Sequence, residues 1–367
     1  MKLLRAHVER FKKFAPPGEA LNFRNQATER VADAFLVLGD NASGKTTILQ
    51  AIALTLSLAQ RKTRDIGRFG WTGWAPDRLL LRGDPIVELE VEFGDDELAA
   101  VQEAARRWWD LNHPASRIGF REPGSSRKVV LRLEGSRVRS VGHESELLQF
   151  QGRSYAAASV VRDNPEVRDL FRRLPGVFWY DQFRNIALSG ARESAAREDA
   201  FRPATDEFSA FVTRLDRILK TWHRTREQRG PHPQRDFLGE LEQLFAVAFP
   251  GRTFAGIEKI YDGPTPTDER FVLTDGRNTY ALGEMSAGEQ AVFPIFFEFV
   301  RQQIARSIVL IDEIDLNLHP PLAQTLLGLL PRLGEDNQFL FTTHSRAVSS
   351  LVSPHALHRL PEGRPCL

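Results

Sequence analysis

Residues Gly39-Asp40-Asn41-Ala42-Ser43-Gly44-Lys45-Thr46 match G-x-x-x-x-G-K-[ST] at every fixed position. Glycines at those places let backbone N–H groups turn inward and wrap a phosphate chain. Lys45 can reach the β- and γ-phosphates, and the Thr46 hydroxyl can ligate Mg2+. A helix starting here would aim its positive N-terminus at the same anion. Asn41, Ala42, Ser43, Gly44, Lys45, Thr46 and Thr47 are therefore the expected nucleotide contacts. The bland alternative is an ordinary glycine-rich turn. The context argues against it, because a buried apolar run precedes the loop and a helical pattern follows it.

Three further stretches suit the same chemistry. Ser307–Glu313 reads S-I-V-L-I-D-E, an apolar strand ending in two acids. Its tip would deliver Asp312 to the metal and Glu313 to the attacking water as general base. On its own it could equally be a core strand ending in a solvated acidic turn. Met285–Gln290 reads M-S-A-G-E-Q before a helix. Ser286 and the amides of Ala287 and Gly288 form a helix-start anion site. Ser286 with Glu289 three residues on is also a capping box, and one geometry can serve both ends. Gln338–Ser345 reads Q-F-L-F-T-T-H-S, which puts His344 at a strand tip, within reach of a phosphate bound at the loop.

The elements that must position these residues are legible in outline. Ala34–Leu38 is a short continuous apolar run, which suits a strand covered on both faces. Ile48, Leu49, Ile52, Ala53 and Leu56 follow at helical spacing. Arg61–Asp84, rich in Gly, Trp and Arg, reads as a loop. Ile86–Phe93 and Arg127–Leu133 alternate as half-buried strands, with a helix over Glu97–Leu111 between them. Val177–Tyr180 is a compact strand. Asp206–Arg226 carries a stripe from Phe208 to Trp222, and Phe237–Phe245 a second helix stopped at Pro250-Gly251. A hairpin turns at Asp275-Gly276-Arg277-Asn278. A helix from Ser286, in which Pro294 is expected to kink the axis, leads to alternating strands and helices up to His344.

Composition closes off other classes. The chain has 367 residues, enough for two domains or one with a large insertion. It is 42% hydrophobic with a net charge of +1, a globular mixture rather than a disordered one. Its single cysteine, Cys366, excludes a disulfide scaffold and a cysteine zinc site. No apolar stretch approaches the ~20 residues a membrane span needs. A cytoplasmic protein without a membrane partner is the expectation.

In this order, the motifs resemble the ABC-type ATPase head, with Walker A, signature, Walker B, D-loop and H-loop. The resemblance is to the SMC/RecF/OLD-like branch of AAA ATPases, which includes PtuA- and AriA-type anti-phage defence subunits. Asp312–Pro320 (D-E-I-D-L-N-L-H-P), T-T-H-S and the run Leu241–Phe254 carry it. It is specific over Met1–Ala59 and Leu241–Val352 and weak between. The implied fold is α/β: a P-loop NTPase with an ABC-type head, its parallel or mixed sheet flanked by helices, plus an inserted α+β or helical subdomain. Residues 1–60 would form the first part of the head and 61–185 a β-rich region leading to a Q-loop. Residues 186–250 would be a helical insert, and 251–367 the rest of the head.

The resemblance further implies ATP and Mg2+ as cofactors and an ATP-dependent homodimer. Each ATP would lie between one P-loop and Ser286, Gly288 and Glu289 of the other copy. Asp315 would face the partner site, and Gln182 would be the Q-loop contact to the metal. Ala287 and Ile314 depart from the glycine and proline of transporter heads. No heptad arm is present, and the short stretch after His344 reads as the ATPase alone. The implied roles are control of a separate nuclease or toxin in antiviral defence, or DNA maintenance and repair. A transporter energy subunit and a non-hydrolysing scaffold are the competing readings. Arg214–Arg235 is either a phosphate-backbone contact for DNA or RNA, or a solvated helix face. The aromatics Phe69, Trp71, Trp74, Trp108 and Trp109 suit partner contacts or buried packing.

Overall fold

The computed structural model describes residues 1–25, 28–60, 66, 75–81, 83–160, 167–180, 204–228, 236–260 and 269–360. Gln182, Phe69, Trp71, Trp74, Arg229, His232 and Arg235 lie outside them. The chain begins with β1 (Lys2–Glu9), β2 (Glu19–Asn22), β3 (Ala34–Leu38) and α1 (Lys45–Ala59). Then come α2 (Pro76–Leu80), β4 (Ile86–Glu92), α3 (Asp95–Leu111), β5 (Lys128–Glu134) and β6 (Arg137–Ser140). The next elements are α4 (Gly152–Val160), α5 (Val167–Leu170), β7 (Val177–Tyr180), α6 (Ala204–Gln228) and α7 (Phe237–Ala248). β8 (Thr253–Lys259), β9 (Glu269–Thr274), β10 (Thr279–Ala281) and α8 (Ala287–Gln302) follow. The last are β11 (Ile308–Ile311), α9 (Pro320–Leu329), β12 (Gln338–Thr343), α10 (Arg346–Ser349) and β13 (Leu357–Arg359).

These elements form two compact units. One comprises Met1–Gly190, Gln303–Leu316 and Leu327–Leu367; the other comprises Ala191–Gln302 and Asn317–Leu326. The first holds two five-stranded sheets. One has the order β13-β3-β12-β11-β7 and is parallel throughout. Its strands A-F-L-V-L, I-V-L-I and Q-F-L-F-T-T are buried along almost their whole length, as strands covered on both faces must be. The other sheet, β2-β1-β4-β5-β6, is antiparallel. In β4, Val87, Leu89 and Val91 point inward while Glu88 and Glu90 alternate with them. Helix α1 touches strands of both sheets and is buried on nearly every side. Ile48, Leu49, Ile52 and Leu56 are fully buried, and each burial contributes roughly 1.5–3 kcal/mol before entropy is counted. The P-loop helix is thus held at its sides by the core.

The second unit packs α6, α7 and α8 with the antiparallel sheet β10-β9-β8. Phe245 meets Phe254 and Phe293, and Trp222 stacks on Phe237 and Phe297. Helix α8 continues through Pro294 to Gln302, with Phe293, Ile295, Phe296 and Phe297 buried around that residue. The expected loop at 61–84 differs in two places. Ile66 is buried in the core, and α2 starts on Pro76, where the missing N–H costs a helix nothing. Among the described residues no helix is long and apolar enough to cross a membrane.

Candidate nucleotide-binding site

The parallel register sets three strand ends side by side. Thr343 of β12 pairs with Leu38 of β3, and Phe341 pairs with Ile311 of β11. The loop after β3, Asp312 after β11 and His344 after β12 therefore leave the sheet at one edge. That is the carboxyl edge, where open α/β sheets bind ligands. Tyr180, at the end of β7, pairs with Ile311 at the same edge.

The loop turns tightly before α1. Ala42 and Gly44 are left-handed, with φ of 60° and 105°. A Cβ on Gly44 would lie 2.8 Å from both Lys13 Cδ and Phe14 Cζ, so only glycine fits there. The Phe11–Phe14 turn sits against the loop, and Lys13 Nζ donates to the Ala42 carbonyl at 2.6 Å. Lys45 is 5% exposed and donates to the carbonyls of Gly39 (2.7 Å) and Asp40 (2.9 Å). Burial pulls its ammonium below the ordinary lysine value, while Glu313, Asp312 and Asp40 pull it part of the way back. A bound polyphosphate would favour the charged form further. Ser43 Oγ is buried without a hydrogen-bond partner. Asn41 is exposed, and Thr47 is half-buried in the first turn of α1.

Asp312 is 1% exposed and accepts from two hydroxyls. Thr46 Oγ1 reaches its two oxygens at 2.8 and 3.0 Å, and Thr342 Oγ1 donates to Oδ1 at 2.6 Å. The same Thr342 hydroxyl accepts the Glu313 N–H at 2.7 Å. Glu313 has a left-handed backbone, φ 44°, a conformation that costs roughly 1–2 kcal/mol away from glycine. The bond to Thr342 and that from the Ile314 N–H to the Thr342 carbonyl hold it. Thr343 Oγ1 donates to Asp315 at 2.6 Å and accepts from the Ser345 N–H. His344 is exposed between them.

These residues fit ATP with a hard cation. Thr46 and Asp312 present oxygens of the kind Mg2+ takes, and such a cation keeps its other positions for phosphate and water. The unpartnered Ser43 hydroxyl and the buried Lys45 ammonium are donors placed within the loop. The structure brings Lys45, Thr46, Asp312 and Glu313 together in the first unit. Thr342, Thr343 and Lys13 join them without having been singled out as contacts. The only sequence signal for the threonines is two hydroxyls closing an otherwise apolar buried strand.

Ser286, Gly288 and Glu289 belong to the second unit. Ser286 is exposed at the start of α8 and forms the expected capping box. Its N–H and Oγ donate to Glu289 Oε2 at 2.7 and 2.6 Å, and the Glu289 N–H returns to Ser286 Oγ at 3.4 Å. Gly288 sits where a Cβ would press on Leu322 Cδ2 at 2.9 Å. Glu289 is 0% exposed, turned into the unit rather than toward a ligand, and it pairs with Arg252 and Tyr280. Burial pushes its carboxyl up, yet Arg252, Ser286 and Tyr280 outweigh this and hold it below the ordinary range. Burial, with Glu289 beside it, pushes the Tyr280 hydroxyl up to about 12. In the basic stretch, Lys220 is buried on Asp216 and on the Glu269 carbonyl. Arg224 pairs with Glu269, and Arg226 with Asp236 and Glu242, while Arg214 and Arg217 are exposed.

Fold and loop together define a P-loop NTPase head, a parallel sheet flanked by helices with the glycine-rich loop between β3 and α1. The chain belongs to the family described as "AAA domain, putative AbiEii toxin, Type IV TA system", which matches residues 35–350. It is 28% identical over 368 residues to the Retron Vc95 probable ATPase of Vibrio cholerae serotype O1 biovar El Tor. That match covers 89% of this chain and 68% of the relative. It is 29% identical over 105 residues to the Retron Ec83 probable ATPase of Escherichia coli, covering 25% of this chain and 19% of that protein. Among solved structures, an SMC head bound to the C-winged helix domain of ScpA superposes with a TM-score of 0.51. Identity there is 16%, and coverage is 96% of this chain and 92% of that one. That likeness shows the fold.

Proposed function

We propose that the chain binds Mg2+ and ATP at the P-loop, closes head to head on a second copy, and hydrolyses the nucleotide to open again. The observation that carries this reading is Thr342. One hydroxyl fixes Asp312, the carboxylate facing Thr46, and also the backbone of Glu313. A metal carboxylate and a base held from one point suit hydrolysis better than passive binding. The cation, when bound, would neutralise charge on the phosphate oxygens. Lys45 would exchange its two loop carbonyls for phosphate oxygens. Glu313 would take the proton of the attacking water. His344 and Asp315, on the same strand edge, would face the γ-phosphate and the partner copy. Gln182 is proposed as a further metal contact. In the dimer, Ser286 and the first amides of α8 would close the other copy's ATP.

At the whole-protein level we assign the chain to a cytoplasmic bacterial defence system of the retron kind, as the ATPase that restrains or triggers a separate effector. The names of the two relatives support this reading. A protein effector is favoured over DNA or RNA, because Lys220, Arg224 and Arg226 of the basic helix already hold carboxylates of their own unit. The test is the mass of Glu313→Gln in solution with and without Mg·ATP, alongside turnover. The variant is expected to bind ATP, to lose at least about 100-fold in hydrolysis, the low end of a general base's contribution, and to double in mass. Turnover at the parental rate would remove Glu313 as the base. An unchanged mass with ATP bound would overturn head-to-head closure.

A further inference from the structure

Glu289 poses an electrostatic problem for the anion site proposed at the start of α8. A carboxylate bonded to the Ser286 N–H and hydroxyl repels the phosphate that those same donors are meant to attract. In a buried setting this repulsion is poorly screened. The structure holds the countermeasure. Glu289 Oε2 faces Ser286, while Oε1 accepts from Tyr280 at 2.6 Å and pairs with Arg252. Arg252 directly follows the Pro250-Gly251 turn after α7, and its guanidinium stands 5.9 Å from the centre of the Tyr280 ring. Arg252, just before β8, and Tyr280, on β10, thus anchor the capping carboxylate from the sheet side.

We propose that Arg252 is a positioning residue for this site. By cancelling the charge of Glu289, it leaves the N-terminus of α8 attractive to the phosphates of an ATP held by another copy. Tyr280 adds the second donor that keeps the carboxylate turned toward Ser286 and Arg252 together. The proposal rests on the head-to-head reading given above.

The test uses full-length protein carrying Glu313→Gln, with mass read against Mg·ATP and with fluorescent ADP reporting the P-loop of the monomer. Adding Arg252→Met should raise the protein concentration needed for the doubled mass at least about tenfold, since it strands a buried charge. ADP affinity should stay within about twofold, a change of well under 1 kcal/mol, because the P-loop belongs to the other unit. Adding Glu289→Gln as well should bring dimerisation back near the parent, because it deletes the stranded charge. In Arg252→Met alone the dimer should recover as the pH is lowered and Glu289 takes up a proton, a dependence that the parent should lack. Arg252→Lys keeps the charge and should dimerise; it serves if the methionine variant does not fold.

Normal dimerisation by Arg252→Met would overturn the proposal. So would a double variant as defective as the single one, or a loss of ADP affinity. Ser286→Arg separates the two levels. If it dimerises freely, the head-to-head reading fails. If it blocks the dimer while Arg252→Met does not, only the role of Arg252 falls.

Discussion

At the scale of the residue, Thr342 shows how a site is stiffened without adding a charge. Its hydroxyl donates to Asp312 and accepts from Glu313. Thr342→Val keeps the shape of the side chain and removes both bonds. Partners of a metal ligand typically cost 10–100-fold when lost. We therefore expect a fall in turnover of about that size, a higher Mg2+ requirement and a preserved fold. Steady-state ATPase assays across a Mg2+ series check this, with Thr342→Ser expected to stay near the parent. The loop from Gly39 to Thr46 is plain in the sequence because phosphate chemistry dictates residue type at fixed spacing. Thr342 and Arg252 are not plain. Their partners are far away in the chain, and a threonine in a strand or an arginine after a turn needs no special reason to be there.

At the scale of the element, the strand-loop-helix of β3 and α1 depends on a contact from outside it. Gly44 is left-handed and crowded by Lys13 and Phe14. Gly44→Ala meets both obstacles, a strained φ costing roughly 1–2 kcal/mol and a clash that moves the turn. Nucleotide binding is expected to be lost, while circular dichroism and the thermal transition stay close to the parent. Calorimetric titration with ADP reads the first of these. Among the described residues, long or strongly patterned elements are legible in advance. The parallel strands show as continuous apolar runs, β4 as strict alternation and α7 as a 3.6-residue stripe. β8 is hidden because Gly256, with φ 96°, interrupts its alternation at a shift in register. β6 and β13 are short and carry charged residues, so burial leaves little trace in them.

At the scale of the whole molecule, the two units divide the proposed chemistry. The P-loop, Asp312, Glu313 and His344 belong to one, and the Ser286 turn to the other. ADP should therefore slow amide exchange in residues 34–59, 308–316 and 338–345 of the monomer and leave 236–260 and 269–302 unchanged. Hydrogen exchange followed by mass spectrometry reads both regions at once. Protection of the second unit by ADP alone would contradict a division of labour between copies.

The order of strands in the parallel sheet also has a meaning in time. β3 carries the phosphate loop, yet its neighbours are β12 and β13. On a ribosome adding about 5–20 residues per second, Phe35 waits roughly 15–60 s for Leu340. Until then the strand has no partner on either edge, and Asp312 has no Thr342 to hold it. The candidate site therefore cannot assemble from the first part of the chain alone: the loop that opens it is made early and the strand that braces it about 300 residues later, the separation of Phe35 and Leu340.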